Sequence, residues 1–236
     1  MTIIAIDGPS GSGKSTVARE LAERLHLPYL DTGAMYRVVG MVALQRNADL
    51  RDGAALGKLA AEIKMQLLDE RQTGKLQPRV IVSGQDASFD IRSPEVSQAA
   101  SSVAVHPEVR ERLVRRQRNW VLERGGGVIE GRDIGTVVFP DANLKVFLTA
   151  DDRERARRRA SDAQSPAFGH MADNEAEKEL AERDFRDSNR RASPLAVPDN
   201  ALVLDSSTKD VDEVVLEILA ALRKLFGGEL PMGTAT

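Results

Sequence analysis

Nine residues, GPSGSGKST at positions 8 to 16, constrain this chain more than any other stretch. They follow the short apolar run Ile3 to Ile6 and precede VARELAERL, in which Val17, Leu21 and Leu25 recur every four residues. A continuous apolar run of this length suits a strand buried on both faces of a parallel sheet, and the four-residue repeat suits a helix with one buried stripe. From Gly8 to Ser15 the intervening loop fits G-x-x-x-x-G-K-[ST], in which glycines let successive backbone N–H groups converge on phosphate oxygens. The helix that follows adds the positive end of its dipole. Gly8, Pro9, Ser10, Gly11, Ser12, Gly13, Lys14, Ser15 and Thr16 therefore form a candidate ATP-binding loop. Lys14 is placed to reach the β and γ phosphates, and the Ser15 hydroxyl to ligate Mg²⁺. The loop does not say what receives the phosphate.

The chain of 236 residues is long enough for one main domain with insertions. Hydrophobic residues make up 42% and charged residues 29%, near globular averages, and no apolar run approaches the roughly 20 residues that cross a bilayer. There is no basic leader or cleavage site before the first strand, and no cysteine for disulfides or thiolate metal ligation. A reducing cytoplasm is the expected location. The net charge of -3 argues against a stable nucleic-acid binder, which needs a basic excess to release phosphate counterions. The arginines nevertheless crowd into residues 109–118, 151–160 and 182–191. Such clusters in an acidic protein suit a compact polyanion, a nucleotide, and equally suit solvated helix faces.

Alternating strands and helices run along the chain. Strands are expected at 29–31, 128–133, 144–150 and 201–207. Helices are expected over 32–44, 52–63 with Asp52 as N-cap, and from Ser93-Pro94 onward. A longer helix, 106–124, carries Val109, Leu113, Trp120 and Val121 on one buried stripe and is ended by three glycines, and further helices cover 151–160, 173–187 and 211–226. Residues 64–91 alternate in short segments, KMQLL, RVIVSG and ASFDI, and read as an inserted antiparallel ribbon. SPAFGHMA, at 165–172, reads as a loop, and residues 228–236 as a mobile tail. The fold class is α/β, a parallel sheet flanked by helices with its ligand beyond the carboxyl ends of the strands.

A GTPase reading fails because Thr208-Lys209 is followed at once by Asp210, one residue short of the base-reading N/T-K-x-D. The three histidines are scattered and make no zinc or acid-base constellation. Two roles stay open for Asp7, orienting Mg²⁺ through water or supporting the loop, and Asp133 suits either the acceptor or the metal side. Arg183 and Asp187 lie one helical turn apart, a spacing equally suited to a surface ion pair.

IDGPSGSGKST, LDTGAMYR, IRSPEVSQAASSVAVHPEVRERLVRRQR, GRDIGTVVFPDANLKVFLTA, RERARRR and ERDFRDSNR occur in this order. Together they resemble the bacterial cytidylate kinases, a family of nucleoside monophosphate kinases, from residue 1 to about 225. The resemblance implies a kinase-type domain over 1–227, a monophosphate-binding insertion at about 33–105 and a lid at about 152–190. It implies Thr32, Arg37 and Arg132 around the acceptor phosphate and Ser101, Arg110 and Asp133 at the base. It places Arg183 and Asp187 at the pentose and Arg190 nearby. Lys14, Arg132, Arg155, Arg158, Arg159 and Arg186 are implied as catalytic, the last four closing over the triphosphate. Arginine suits these tasks because its planar fork donates paired hydrogen bonds to phosphate. The implied reaction is Mg²⁺-dependent transfer from ATP to CMP or dCMP by a monomer, without nucleic acid or membrane. Other readings are a kinase of another small acceptor, such as shikimate, and a nucleotide-dependent RNA-binding factor.

Overall fold

In the computed structural model the strand β1 (Thr2–Asp7) lies at the centre of a five-stranded sheet ordered β2-β6-β1-β7-β8. Residues 1–72, 75–161 and 173–233 are described. β2 (Tyr29–Asp31), β6 (Gly126–Gly131), β7 (Leu144–Thr149) and β8 (Leu202–Asp205) all pair in parallel with their neighbours. The alternation of β1 divides the interior. Ile3 and Ala5 point into one apolar core with Leu30 and Ile129, while Ile4 and Ile6 point into a second with Val128, Val146 and Leu148. Each face therefore needs its own helical cover.

The second face is covered by α1 (Lys14–Leu25), through Val17, Leu21 and Leu25, and by α8 (Val211–Leu225), through Val214, Val215, Ile218 and Leu222. The first face is covered by α2 (Thr32–Gln45), α3 (Gly53–Glu62), α4 (Pro94–Val103) and α5 (Pro107–Glu123). Their starts carry local signals: Asp31, Asp52 and Ser93 accept from Ala34, Ala55 and Val96 N–H groups as N-caps. α6 (Asp152–Ala160) and α7 (Asp173–Asn189) pack together through Ala156 and Leu180.

The inserted ribbon is a three-stranded antiparallel sheet of β3 (Met65–Gln72), β4 (Lys75–Val82) and β5 (Gln85–Asp86). It differs from the sequence reading in two respects. β3 and β4 pair over eight residues each, and ASFDI is no strand but a turn ending in a 3₁₀ turn at Asp90–Arg92, with Ile91 buried. Pro78 sits within β4 where only β3 pairs with it, since β5 reaches only Ile81 and Val82, so its missing N–H costs no ladder bond. Leu67 and Val80 join the core of the main sheet's first face, and the Trp120 indole N–H donates to Leu67 O at 3.1 Å. The ribbon thus shares a core with the parallel sheet. Trp120 is a core residue, as its stripe predicts.

The three glycines at 125–127 do more than end α5. Gly126 and Gly127 open β6 at positive φ, where added Cβ atoms would lie 2.2 Å from Thr2 O and 2.7 Å from Pro28 O. They let β6 run tightly between β1 and β2. The tail, expected to be mobile, runs along the core as far as it is described: Leu230 packs on the second core and Gly233 N donates to Leu25 O at 2.8 Å. The loop expected at 165–172 lies outside the described residues.

Asp7 ends β1 and is fully buried. Its two carboxylate oxygens accept from Ile134 N and Gly135 N, each at 2.7 Å. Those N–H groups open a π-helical turn, Ile134–Val138, whose far end is held by Arg118 donating to Val137 O and Val138 O. Asp7 thus braces the turn after β6 rather than the phosphate loop itself. Burial pushes the Asp7 carboxyl up to about 6, against the pull of the two N–H bonds. A raised carboxyl favours the folded state below the unfolded value of 3.8, and that contribution is lost as pH rises through about 6. Asp7→Asn replaces one acceptor with a donor facing a backbone N–H. Urea unfolding from pH 4 to 7.5 should show a loss of about 1–3 kcal/mol at pH 7 and a flatter profile between 4 and 6. Unchanged stability would contradict this bracing role.

Candidate active site

The carboxyl ends of β1, β2 and β6 open into a cavity of about 480 Å³. Residues 8–16 form one wall. Gly8 has φ +150°, and a Cβ there would meet Leu148 O at 2.0 Å, so only glycine lets the loop leave β1 beside β7. Gly13 caps α1 without a side-chain bond, leaving the first N–H groups of the helix open to the cavity. Lys14 is 6% exposed, and its ammonium donates to Pro9 O at 2.7 Å. Ser15 and Thr16 line the cavity, as does Glu130.

Thr32, Arg37, Arg132 and Asp133 come together on the opposite wall. Thr32 donates to Glu130 O at 2.7 Å, and Arg37 is held by Asp31 at 2.5 Å. Arg132 spans the two sides: Nε donates to Asp187 at 2.8 Å and Nη1 to Gly8 O, the first residue of the phosphate loop, at 3.1 Å. At the far end Arg110 is buried against Asp133 and lies over the Tyr36 ring, 5.4 Å from its centroid. Ser101 Oγ and Arg110 Nε are buried there with no hydrogen-bond partner among the described residues. Buried polar atoms left without partners are costly unless a ligand satisfies them.

Arg183, Asp187 and Arg190 line the same cavity. Among the described residues no ion pair joins Arg183 to Asp187. Asp187 instead faces Arg132 at 2.8 Å and Arg190 at 3.7 Å, which sets aside the surface-pair reading. Burial raises the Asp187 carboxyl, but Arg132, Arg183 and Arg190 together outweigh that and hold it low.

The four arginines expected over the triphosphate separate. Arg158 and Arg159 line the cavity, whereas Arg155 and Arg186 do not. Arg155 is turned beneath the phosphate loop, donating to Ser10 O at 2.9 Å and to Asp184 at 2.5 Å, while Asp184 also accepts from Ser10 N. It braces the loop from α6.

Several lining residues escaped the sequence reading: Arg19, Tyr29, Asp31, Tyr36, Arg92 and Glu130. Asp31 and Glu130 had a visible signal, since each is a carboxylate at the carboxyl end of a predicted strand. Tyr36 lies inside DTGAMYR. Arg19 and Arg92 carried no local signal.

The cavity lining is strongly cationic. Among the described residues that line it, the cations are Lys14, Arg19, Arg37, Arg92, Arg110, Arg132, Arg158, Arg159, Arg183 and Arg190, and the acids are Asp31, Glu130, Asp133 and Asp187. Burial and the Arg132 charge push the Lys14 ammonium down to about 7 and Arg183 to about 9. Burial and Arg110 likewise lower Arg190. These groups repel one another across a partly dry space, and an anionic ligand would relieve them. The surroundings suit two phosphate groups, one at the loop and one at Arg37 and Arg132, with a polar ring at Ser101 and Arg110.

A family model described as cytidylate kinase matches residues 4–224. A cytidylate kinase from Desulforamulus reducens is 49% identical, covering 94% of this chain and 96% of that protein. One from Pelotomaculum thermopropionicum is 48% identical, covering 92% and 94%. A bifunctional pantoate ligase/cytidylate kinase from Synechococcus is 46% identical over 94% of this chain but only 45% of its own length, so the chain spans under half of that relative. Among solved structures, an uncharacterized protein from Eubacterium ventriosum shares the fold with a TM-score of 0.50 at 14% identity, covering 94% of this chain and 98% of that one. No helix among the described residues is long and apolar enough to cross a membrane. The strand-end cavity and the match along nearly the whole sequence agree: the chain belongs to the cytidylate kinase family.

Proposed function

We propose that this chain transfers the γ-phosphoryl group of ATP to CMP or dCMP, giving ADP and CDP or dCDP. The observation that carries the reading is the pairing of ends within one cavity. The phosphate loop stands at one end, the unpartnered Ser101 Oγ and Arg110 Nε at the other, and Arg132 reaches between. In this reading residues 33–105 hold the acceptor and 152–190 act as the lid.

An acceptor-phosphate oxygen forms a bond to the γ phosphorus as the bond to the bridging β–γ oxygen of ATP breaks, and ADP leaves with that electron pair. Both reactants are anions, so the protein's work is positioning and charge compensation. The loop N–H groups and Lys14 hold the β and γ phosphates, Arg37 and Arg132 orient the acceptor phosphate, and Arg158 and Arg159 gather on the transferring group. An arginine so placed contributes about 10³–10⁵ in rate in related phosphoryl transfers. Among the described residues no three acidic or histidine side chains form a cation cage. That suits Mg²⁺ held mainly by nucleotide and water, with Ser15 and its neighbour Glu130 as the protein's contribution. The ion would neutralise phosphate charge.

Cytosine offers acceptors at O2 and N3 and a donor at its exocyclic amine, which Arg110, Ser101 and the Asp133 carboxylate complement. Uracil exchanges donor and acceptor at two of these places, leaving partners unpaired at about 1–3 kcal/mol each.

A coupled assay of ADP formation with ATP and Mg²⁺ should show turnover with CMP and dCMP far above UMP, AMP, shikimate or no acceptor. Equal ADP formation without acceptor would refute the transfer reading. Arg110→Ala should raise KM for CMP by roughly 10- to 100-fold and leave KM for ATP within about 3-fold. Equal losses for both substrates would remove Arg110 from base recognition.

A further inference from the structure

Arg158 is held differently from the other cavity arginines. Arg37, Arg110 and Arg132 are fixed by Asp31, Asp133 and Asp187, acids that themselves line the cavity and offset part of the charge they position. The Arg158 fork is paired with an acid outside that lining, Glu154, and its two Nη atoms are gripped by a neutral residue. Nη1 donates to Ser206 Oγ at 2.9 Å and Nη2 to Ser206 O at 2.6 Å, while Nε donates to Glu154, outside the cavity lining, at 2.7 Å. A guanidinium has five N–H bonds, so this grip fixes its plane and leaves two donors uncommitted by these contacts.

Ser206 follows the edge strand β8 and is 4% exposed. Its single hydroxyl proton is shared between Ser12 O of the phosphate loop and Thr149 O at the end of β7, both at 3.0 Å, and its own N–H donates to Thr149 O at 2.9 Å. A Cβ added to Gly13 would lie 3.5 Å from Arg158 Nη1, so the guanidinium rests against the residue that opens α1. One serine therefore ties three parts together: the phosphate loop, the sheet and the lid helix α6.

We propose that Ser206 is a positioning residue for phosphoryl transfer, fixing the plane of the Arg158 guanidinium against the phosphate loop. The inference rests on the reading of Arg158 as a catalytic arginine. A long side chain recruited from solvent would pay rotamer entropy in each turnover. The Ser206 hydroxyl and carbonyl orient the two Nη atoms while Glu154 holds Nε, so the fork is ordered before substrate arrives. Because the same hydroxyl bonds Ser12 O, the position of Arg158 is referred to the loop that holds the phosphates.

The test is a double-mutant cycle on kcat with ATP and CMP, using wild type, Ser206→Ala, Arg158→Ala and the double variant, with urea unfolding of each. Ser206→Ala should lower kcat by about 10- to 100-fold with KM for CMP within about 2-fold, and should cause no further loss once Arg158 is absent. Ser206→Cys, which keeps the volume with a weak acceptor, should lose kcat similarly and guards against a folding defect in the alanine variant. A full additional loss from Ser206→Ala in the Arg158→Ala background, or wild-type kcat in both serine variants, would overturn the proposal. Wild-type kcat in Arg158→Ala would overturn it too, by removing the catalytic role of that arginine. Absence of CMP turnover in the wild type would instead reject the parent reading.

Discussion

The repulsion among buried cations at the carboxyl ends of β1, β2 and β6 governs the rest of this structure. Burial and the Arg132 charge lower the protonation of Lys14 and of Arg183, and burial and Arg110 that of Arg190, in a cavity whose described lining carries more positive than negative charge. Such an arrangement costs stability in the absence of a ligand, and it persists because the fold over-determines it. The protein as a whole carries a net charge of -3, so the positive field is local and enclosed. A small polyanion meets it at close range, whereas an extended one would face an acidic exterior.

What keeps the cations apart and aimed is a set of short-range holders. Asp31 takes Arg37, Asp133 takes Arg110 and Arg190, Asp187 takes Arg132 and Arg190, Asp184 takes Arg155 beneath the phosphate loop, and Glu154 and Ser206 take Arg158. Arg132 touches both the phosphate loop and α7 across the cavity, through Gly8 O and Asp187. Pre-orientation of this kind places the cost of ordering long side chains on folding rather than on each catalytic cycle. Asp7 belongs to the same design one layer deeper. It fixes the turn that follows Arg132 and Asp133.

The layout of strands and helices was legible because burial on both faces writes itself as apolar runs, and because Asp52, Ser93 and Pro94 mark helix starts chemically. The phosphate loop was legible for a similar reason, since its glycines answer a backbone requirement. Side-chain direction was not. Arg155 and Arg158 are three residues apart on one helix and look equivalent in RERARRR, yet Asp152 and Asp184 draw the first under the loop while Ser206 draws the second into the cavity. The holders come from α7 and the end of β8, remote in sequence, so no local pattern could assign them. The same limit hid Arg19 and Arg92. The ribbon was recognised as antiparallel, but its strand lengths followed from pairing between β3 and β4 rather than from either segment alone.

Equilibrium binding of CMP and of cytidine to the wild-type chain, by calorimetry at 50 and 300 mM salt, tests most directly whether this buried positive charge is built for phosphate. The account predicts CMP binding at least about 100-fold tighter than cytidine, with the preference surviving high salt because the cations are buried. Equal affinities for the two, or a preference that vanishes at 300 mM salt, would contradict it.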